Sequence, residues 1–130
     1  MDRAHGSIRG RKGEDLAAAA LQTAGMEIIA RNFRSKFGEI DIIALDPCPQ
    51  DGASIGETIV FVEVKAWSAY GLEDLQYGVD SRKQRKIIET AKFFLSENRK
   101  YSKMAIRFDV VFVKDNSITH LASAFMERVL

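Results

Sequence analysis

Cysteine is almost absent from this chain: among 130 residues there is only Cys48. No intrachain disulfide can form, and Cys48 has no cysteine partners with which to hold structural zinc. Proline is nearly as scarce, with only Pro47 and Pro49, and there is no linker or low-complexity tract. Long apolar runs are missing too. The longest candidate, Ile59 to Trp67, is broken by Glu63 and Lys65, short of the ~20 apolar residues that span a bilayer. Met1 to Lys12 is polar and basic, without the apolar stretch of a secretory leader. Together with the lone thiol, this leads us to expect a soluble cytoplasmic protein.

What is present suits one globular domain over residues 1–130, with residues 1–10 expected to be a flexible lead-in. Hydrophobic residues make up 46% and charged residues 28%, enough for a core without covalent staples. The net charge of +1 hides an uneven distribution. Residues 1–36 balance at +3, residues 37–80 at −8 and residues 81–130 at +6. Carboxylates gathered around a cation, with basic elements holding a polyanion, would give this pattern. Blocks of solvated surface charge would give it as well.

The alanine-rich segment from about Lys12 to Ala24 reads as a helix that Gly25 ends. Met26 to Phe33 reads as a strand, Ser35 to Gly38 as a tight connection and Glu39 to Leu45 as a second strand. Pro47 to Thr58 is a polar loop, and Ile59 to Trp67 a third strand, apolar on both faces and hence central. After a loop to Asp80, Ile87, Ile88, Ala91, Phe94 and Leu95 mark one face of a second helix. Ile106 to Val113 is a fourth strand and Ile118 to Leu121 a short fifth, with a final helical turn expected over Ala124 to Leu130. Short links favour an antiparallel meander of the first three strands, and the second helix a crossover to the fourth. The expected fold class is α/β: a mixed sheet of four or five strands with flanking helices.

The chemistry is concentrated in two charged strands. Alternation puts Val60, Val62 and Val64 on one face of the third strand and Phe61, Glu63, Lys65 and Trp67 on the other. Charges inside an apolar central strand cost several kcal/mol, at the order-of-magnitude level of about 3–5, unless paired or bound to a metal. In the second strand Glu39 and Asp41 share one face, and Ile40 and Ile42 the other. If the two strands are neighbours, Asp41 meets Glu63. Two convergent carboxylates suit Mg²⁺ or Mn²⁺. Such an ion polarises a phosphoryl oxygen and acidifies a water, and Lys65 beside it could position the water or neutralise charge in the transition state. A cross-strand ion pair on a half-exposed sheet is the plainer reading of Glu63 and Lys65.

Asp41 followed, 22 residues later, by Glu63-Val64-Lys65 resembles the PD-(D/E)xK motif of restriction-endonuclease-like nucleases. The rest of the chain sharpens that resemblance: Gly13-Glu14, Arg31-Asn32-Phe33-Arg34, Gly38-Glu39-Ile40-Asp41, Phe61-Val62-Glu63-Val64-Lys65, Arg82-Lys83-Gln84-Arg85-Lys86-Ile87 and Arg107-Phe108-Asp109-Val110-Val111. Read in order, these are similar to the YraN-like uncharacterised protein family. The resemblance implies a restriction-endonuclease-like fold with core order αβββαβ, close to archaeal Holliday-junction resolvases. It further implies Asp41 and Glu63 as metal ligands, the main-chain carbonyl of Val64 as another, Lys65 as the catalytic lysine and Glu14 as a third acidic group. Where that family usually carries a Thr-Arg or similar pair after the lysine, this chain has Ala66-Trp67, which would weaken phosphate binding. The expected activity is metal-dependent hydrolysis of DNA phosphodiesters at branched or junction DNA. A homodimer would present two sites to a symmetric junction. A non-catalytic nucleic-acid-binding module, or an adaptor, is the alternative.

Other residues stay open between roles. Glu14 is either a site member or a favourable acid in a first helical turn. Gln84 either faces the sheet or closes a capping box with Ser81. Arg82, Lys83, Arg85 and Lys86 crowd a helix N-terminus, where basic residues disfavour the helix and phosphate is welcome; with Gln84 and Arg34 they are the nucleic-acid-binding candidates. Trp67 and Tyr70 are either core or base-stacking rings. Cys48 reads as an incidental loop thiol and His5 as part of the lead-in. His120 reads as a hydrogen-bonded strand residue, and Asp109 as an ion-pair partner of Arg107.

Overall fold

The computed structural model describes residues 2–47, 56–66 and 80–126, with side chains from residue 12 onward. Helix α1 (Asp2–Thr23) leads into β1 (Glu27–Ser35), β2 (Gly38–Asp46) and β3 (Thr58–Ala66). Helix α2 (Ser81–Glu97) and a short 3-10 turn (Arg99–Tyr101) precede β4 (Ala105–Lys114) and β5 (Ser117–Phe125). The five strands lie in sequence order across one sheet. β1–β2 and β2–β3 are antiparallel, β3–β4 is parallel and β4–β5 antiparallel. This is the mixed sheet with a helical crossover that the sequence predicts, compatible with a restriction-endonuclease-like fold.

β3 is the middle strand, and Ile59 through Val62 are all fully buried. Each such side chain contributes about 1.5–3 kcal/mol by leaving water. The two sheet faces carry separate cores. Ala17, Ala18 and Leu21 of α1 pack on Ile42, Ala44, Val60, Val62, Val111 and Val113. On the other face Ile87, Ala91 and Phe94 of α2 cover Ile43, Ile59, Phe61, Phe108, Val110 and Phe112. α1 stops as expected: Gly25 takes φ 95, its N–H bonds to the Gln22 carbonyl and the Met26 N–H to that of Leu21. A left-handed glycine with those two bonds closes the last helical turn.

Several expectations need correcting. α1 begins at Asp2, not near Lys12; Gly6, Ser7 and Gly10 are weak helix formers and masked its first turns. β5 runs to Phe125, so Ala124 and Phe125 are strand, not helix, held by pairing of Phe125 with Phe108. The α2 cap is Asp80, whose carboxylate accepts from the Lys83 N–H at 2.9 Å, so Ser81 and Gln84 form no capping box. The expected turn at Asp115 is present, with Asp115 at φ 55. Cys48, Trp67 and Tyr70 lie outside the described residues, as do residues 48–55 of the loop from Pro47 to Thr58. Among the described residues no helix is long and apolar enough to cross a membrane.

Candidate metal and nuclease-like site

The strict alternation expected of β2 breaks at Asp41. Ile40 packs in the α2-side core, yet Ile42 packs in the α1-side core. The two isoleucines thus do not share a face. Opposite this point on β1, Asn32 has φ 53, between the Arg31–Ile42 and Phe33–Ile40 pairs. Asparagine tolerates that left-handed conformation better than most residues. Asp41 lies one position beyond Ile42–Val62, the terminal pair of the β2–β3 ladder.

Register does the rest. Ile42 pairs with Val62, so the next positions along the antiparallel ladder bring Asp41 beside Glu63. Asp41 Oδ2 accepts the Val64 N–H at 2.8 Å, and the Asp41 and Glu63 carboxyls are in hydrogen-bonding contact. Burial, then the adjacent Glu63 charge, push Asp41 from 3.8 up to about 7. A like charge beside a buried carboxyl disfavours its ionisation. Two acids from neighbouring strands thus lie side by side.

Glu63 has a partner that sequence reasoning placed elsewhere. Lys83, expected among the phosphate contacts, reaches from the first turn of α2 to Glu63 Oε1 at 2.6 Å. The Glu63 side chain is 7% exposed, so an unpaired charge there would be costly. Burial alone would lower the Lys83 pKa, but the bond to Glu63 and the fields of Glu63, Asp41 and Asp80 raise it overall. Lys65, half-buried, stands two residues beyond Glu63 in register with Phe112.

Glu14, on α1, is mostly buried and lies 3.9 Å from Arg31, which bonds Asp15 at 2.7 Å. Desolvation raises its pKa against the opposing bond from Asn32 and the charge of Arg31. Its field also reaches Asp41. Glu39 is 40% exposed with Arg34 at 3.7 Å, a strand-entry charge. Arg82, Arg85 and Lys86 are exposed on the first turns of α2, and Gln84 is half-buried with a partner of its own. Among the described residues no three histidine, cysteine or acidic side chains form a group able to hold a metal. The donor set is therefore two carboxylates with the neighbouring main chain of Val64. That suffices for Mg²⁺, which keeps most of its waters and takes one or two protein carboxylates.

A second charged cluster was only partly visible in the sequence. On the α1 side of the sheet, Arg107 donates to Asp109 through Nε at 2.9 Å and Nη2 at 3.0 Å, and to Asp46 at 3.1 Å. His120 Nε2 lies 2.7 Å from Asp109, and the Ser123 N–H donates to it at 3.0 Å. Burial alone would raise the Asp109 pKa, but its bonds with His120, Arg107 and Ser123 lower it overall. The Arg107–Asp109 pair is as expected. Asp46 and Ser123 join it only through strand register, which no local pattern announces.

Comparison with known proteins places this geometry among relatives. The family model described as "Uncharacterised protein family UPF0102" matches residues 13–113, a span that holds every candidate ligand. The chain is 45% identical over 123 residues to a UPF0102 protein of Treponema denticola, covering 89% of this chain and 93% of that one. It is 42% identical over 118 residues to one from Persephonella marina, covering 91% and 93%. One from Treponema pallidum is 44% identical over 132 residues, covering 96% and 98%.

Proposed function

The chain belongs to the uncharacterised protein family UPF0102, the YraN-like branch of the restriction-endonuclease-like superfamily, and we propose that it is a metal-dependent endonuclease hydrolysing DNA phosphodiesters. The observation that carries this reading is the forced contact of Asp41 with Glu63, with Asp41 raised to about 7. A fold seldom tolerates two carboxylates so placed without a use for them. Asp41, Glu63 and the Val64 carbonyl would hold Mg²⁺ or Mn²⁺. When bound, that ion supplies Lewis acidity toward the phosphoryl oxygen and lowers the pKa of a water.

The chain's own residues do the remainder. Asp41 and Glu63 orient the charge, fixed by the Val64 N–H and by Lys83. Lys65 supplies an ammonium beside the reacting phosphate, positioning the attacking water or offsetting negative charge. Arg82, Arg85 and Lys86, on the first turns of α2, hold flanking phosphates. Branched or junction DNA is the favoured substrate by analogy with the resolvases.

The test is direct. Purified protein is incubated with labelled junction DNA in Mg²⁺ or Mn²⁺, with and without EDTA. Cutting is expected only with the free metal, and Glu63→Gln is expected to abolish cutting while leaving binding intact. Cutting by Glu63→Gln at the wild-type rate would refute the assignment. Binding with no cutting in either metal would support a non-catalytic binding module.

A further inference from the structure

Phe37 is unusual among the described aromatic residues: it alone is exposed, at 38%. It occupies the two-residue turn between β1 and β2, where Ser35 pairs with Gly38. The turn is held firmly. Ser35 Oγ accepts the Phe37 N–H at 3.0 Å. Gly38, at φ 154, sits where an added Cβ would lie 3.4 Å from Thr90 Oγ1 and 3.5 Å from Lys86 Cβ. The turn therefore rests on α2. The Phe37 ring is also the outer end of an aromatic row: it lies 6.3 Å from Phe93, which lies 6.2 Å from Phe33, itself 5.1 Å from the buried Phe94. A ring anchored in this way loses little freedom on binding.

Its surroundings are cationic. Lys36 Nζ lies 5.2 Å from the Phe37 ring centroid, Lys86 stands beside the turn and Arg34 is exposed on the same hairpin. An exposed ring among cations fits one ligand chemistry well, a nucleobase whose own phosphates face those cations. A paired base offers no free face for stacking, so the base must be unpaired. Phe37 and Asp41 are four residues apart on the chain, about 13 Å at strand spacing. That is roughly four nucleotides of stacked strand at 3.4 Å each.

We propose that Phe37 is a stacking platform for an unpaired base within a few nucleotides of the scissile phosphate, with Lys36, Lys86 and Arg34 holding the adjoining phosphates. The inference rests on the nuclease reading above and narrows its substrate to strands where pairing is interrupted.

The test is equilibrium binding in EDTA, read by fluorescence anisotropy. The probes are a fully paired duplex and the same duplex interrupted by a short unpaired tract carrying 2-aminopurine. Phe37→Leu retains the apolar contact with Phe93 but removes the aromatic face. It is expected to weaken binding to the interrupted duplex about tenfold, the scale of one lost base stack, and to leave the paired duplex within about twofold. The quenching of 2-aminopurine on binding should vanish in Phe37→Leu and persist in Phe37→Trp. Equal affinities of wild type and Phe37→Leu for the interrupted duplex would overturn the stacking role alone. So would an equal loss on both probes. Failure of the wild type to bind either DNA would overturn the stacking role and the nuclease reading together.

Discussion

Replacing Asp41 by Asn isolates the proton that the site holds. An ordinary aspartate releases its proton near 3.8, whereas burial and Glu63 keep that of Asp41 until about 7. Between these values the folded chain holds a proton that the unfolded chain has lost. The contribution of Asp41 to stability is therefore fully present below 3.8, falls as pH rises and levels off above about 7. A raise from 3.8 to about 7 corresponds to at most about 4 kcal/mol, at 1.36 kcal/mol per pKa unit. Access of water and local relaxation reduce what is measured to about 2–3 kcal/mol. Asn retains a carbonyl oxygen for the Val64 N–H but has no charge to lose. We therefore expect Asp41→Asn to be the more stable protein at pH 8 and its advantage to disappear toward pH 4. Urea unfolding in EDTA at a series of pH values, with the difference between the two proteins plotted, gives the answer. A difference that stays flat from pH 4 to pH 8 would show that the carboxyls do not share a site.

Three further outcomes follow from the packing. Lys83→Met removes the cation from Glu63; because Lys83 is half-exposed and screened, the cost is about 1–2 kcal/mol at pH 8, and the midpoint of the Asp41 titration should move above about 7, both read from the same urea series. Arg107→Met leaves Asp109, fully buried, and Asp46 without their guanidinium, so a loss of about 3–5 kcal/mol is expected in chemical denaturation, against a much smaller one for an exposed arginine such as Arg85. Gly38→Ala places a side chain at φ 154, where the steric contacts are ordinary but the backbone is strained; a loss of about 1–2 kcal/mol is expected in thermal melting, with the turn's grip on α2 weakened.

The expectations that held were those depending on alternation and connection length. Apolar runs on both faces put β3 at the centre, and short links made β1–β3 a meander, so Asp41 and Glu63 could be paired before any coordinates. What was illegible depended on three dimensions at once. Nothing near Ile40 signals that it and Ile42 go to opposite cores, nor that Asn32 on the neighbouring strand takes a left-handed backbone. Lys83 reads in sequence as one of four basic residues at a helix start. Its pairing with Glu63 exists because α2 lays that turn against the end of β3. The Asp80 cap sits one residue from the expected one, a displacement that patterns cannot resolve.

Two buried acidic centres in this fold resolve their charge in different ways, and the contrast argues for where a cation belongs. Asp109 receives both arms of Arg107, the Ser123 N–H and an interaction with His120, so its oxygens are satisfied from within the chain. Asp41 has one main-chain donor and Glu63 one half-exposed lysine, and Asp41 keeps its proton up to about 7. Below about 7 that proton and Lys83 together balance the two carboxyls; above it the pair carries an excess negative charge at the edge of a dry core. A divalent cation would supply that charge and displace the proton. Mg²⁺ affinity, measured by calorimetry, should therefore strengthen as pH rises through 7 and release about one proton per ion below it. An affinity independent of pH across that range would mean that the ion, wherever it binds, does not touch these two carboxyls.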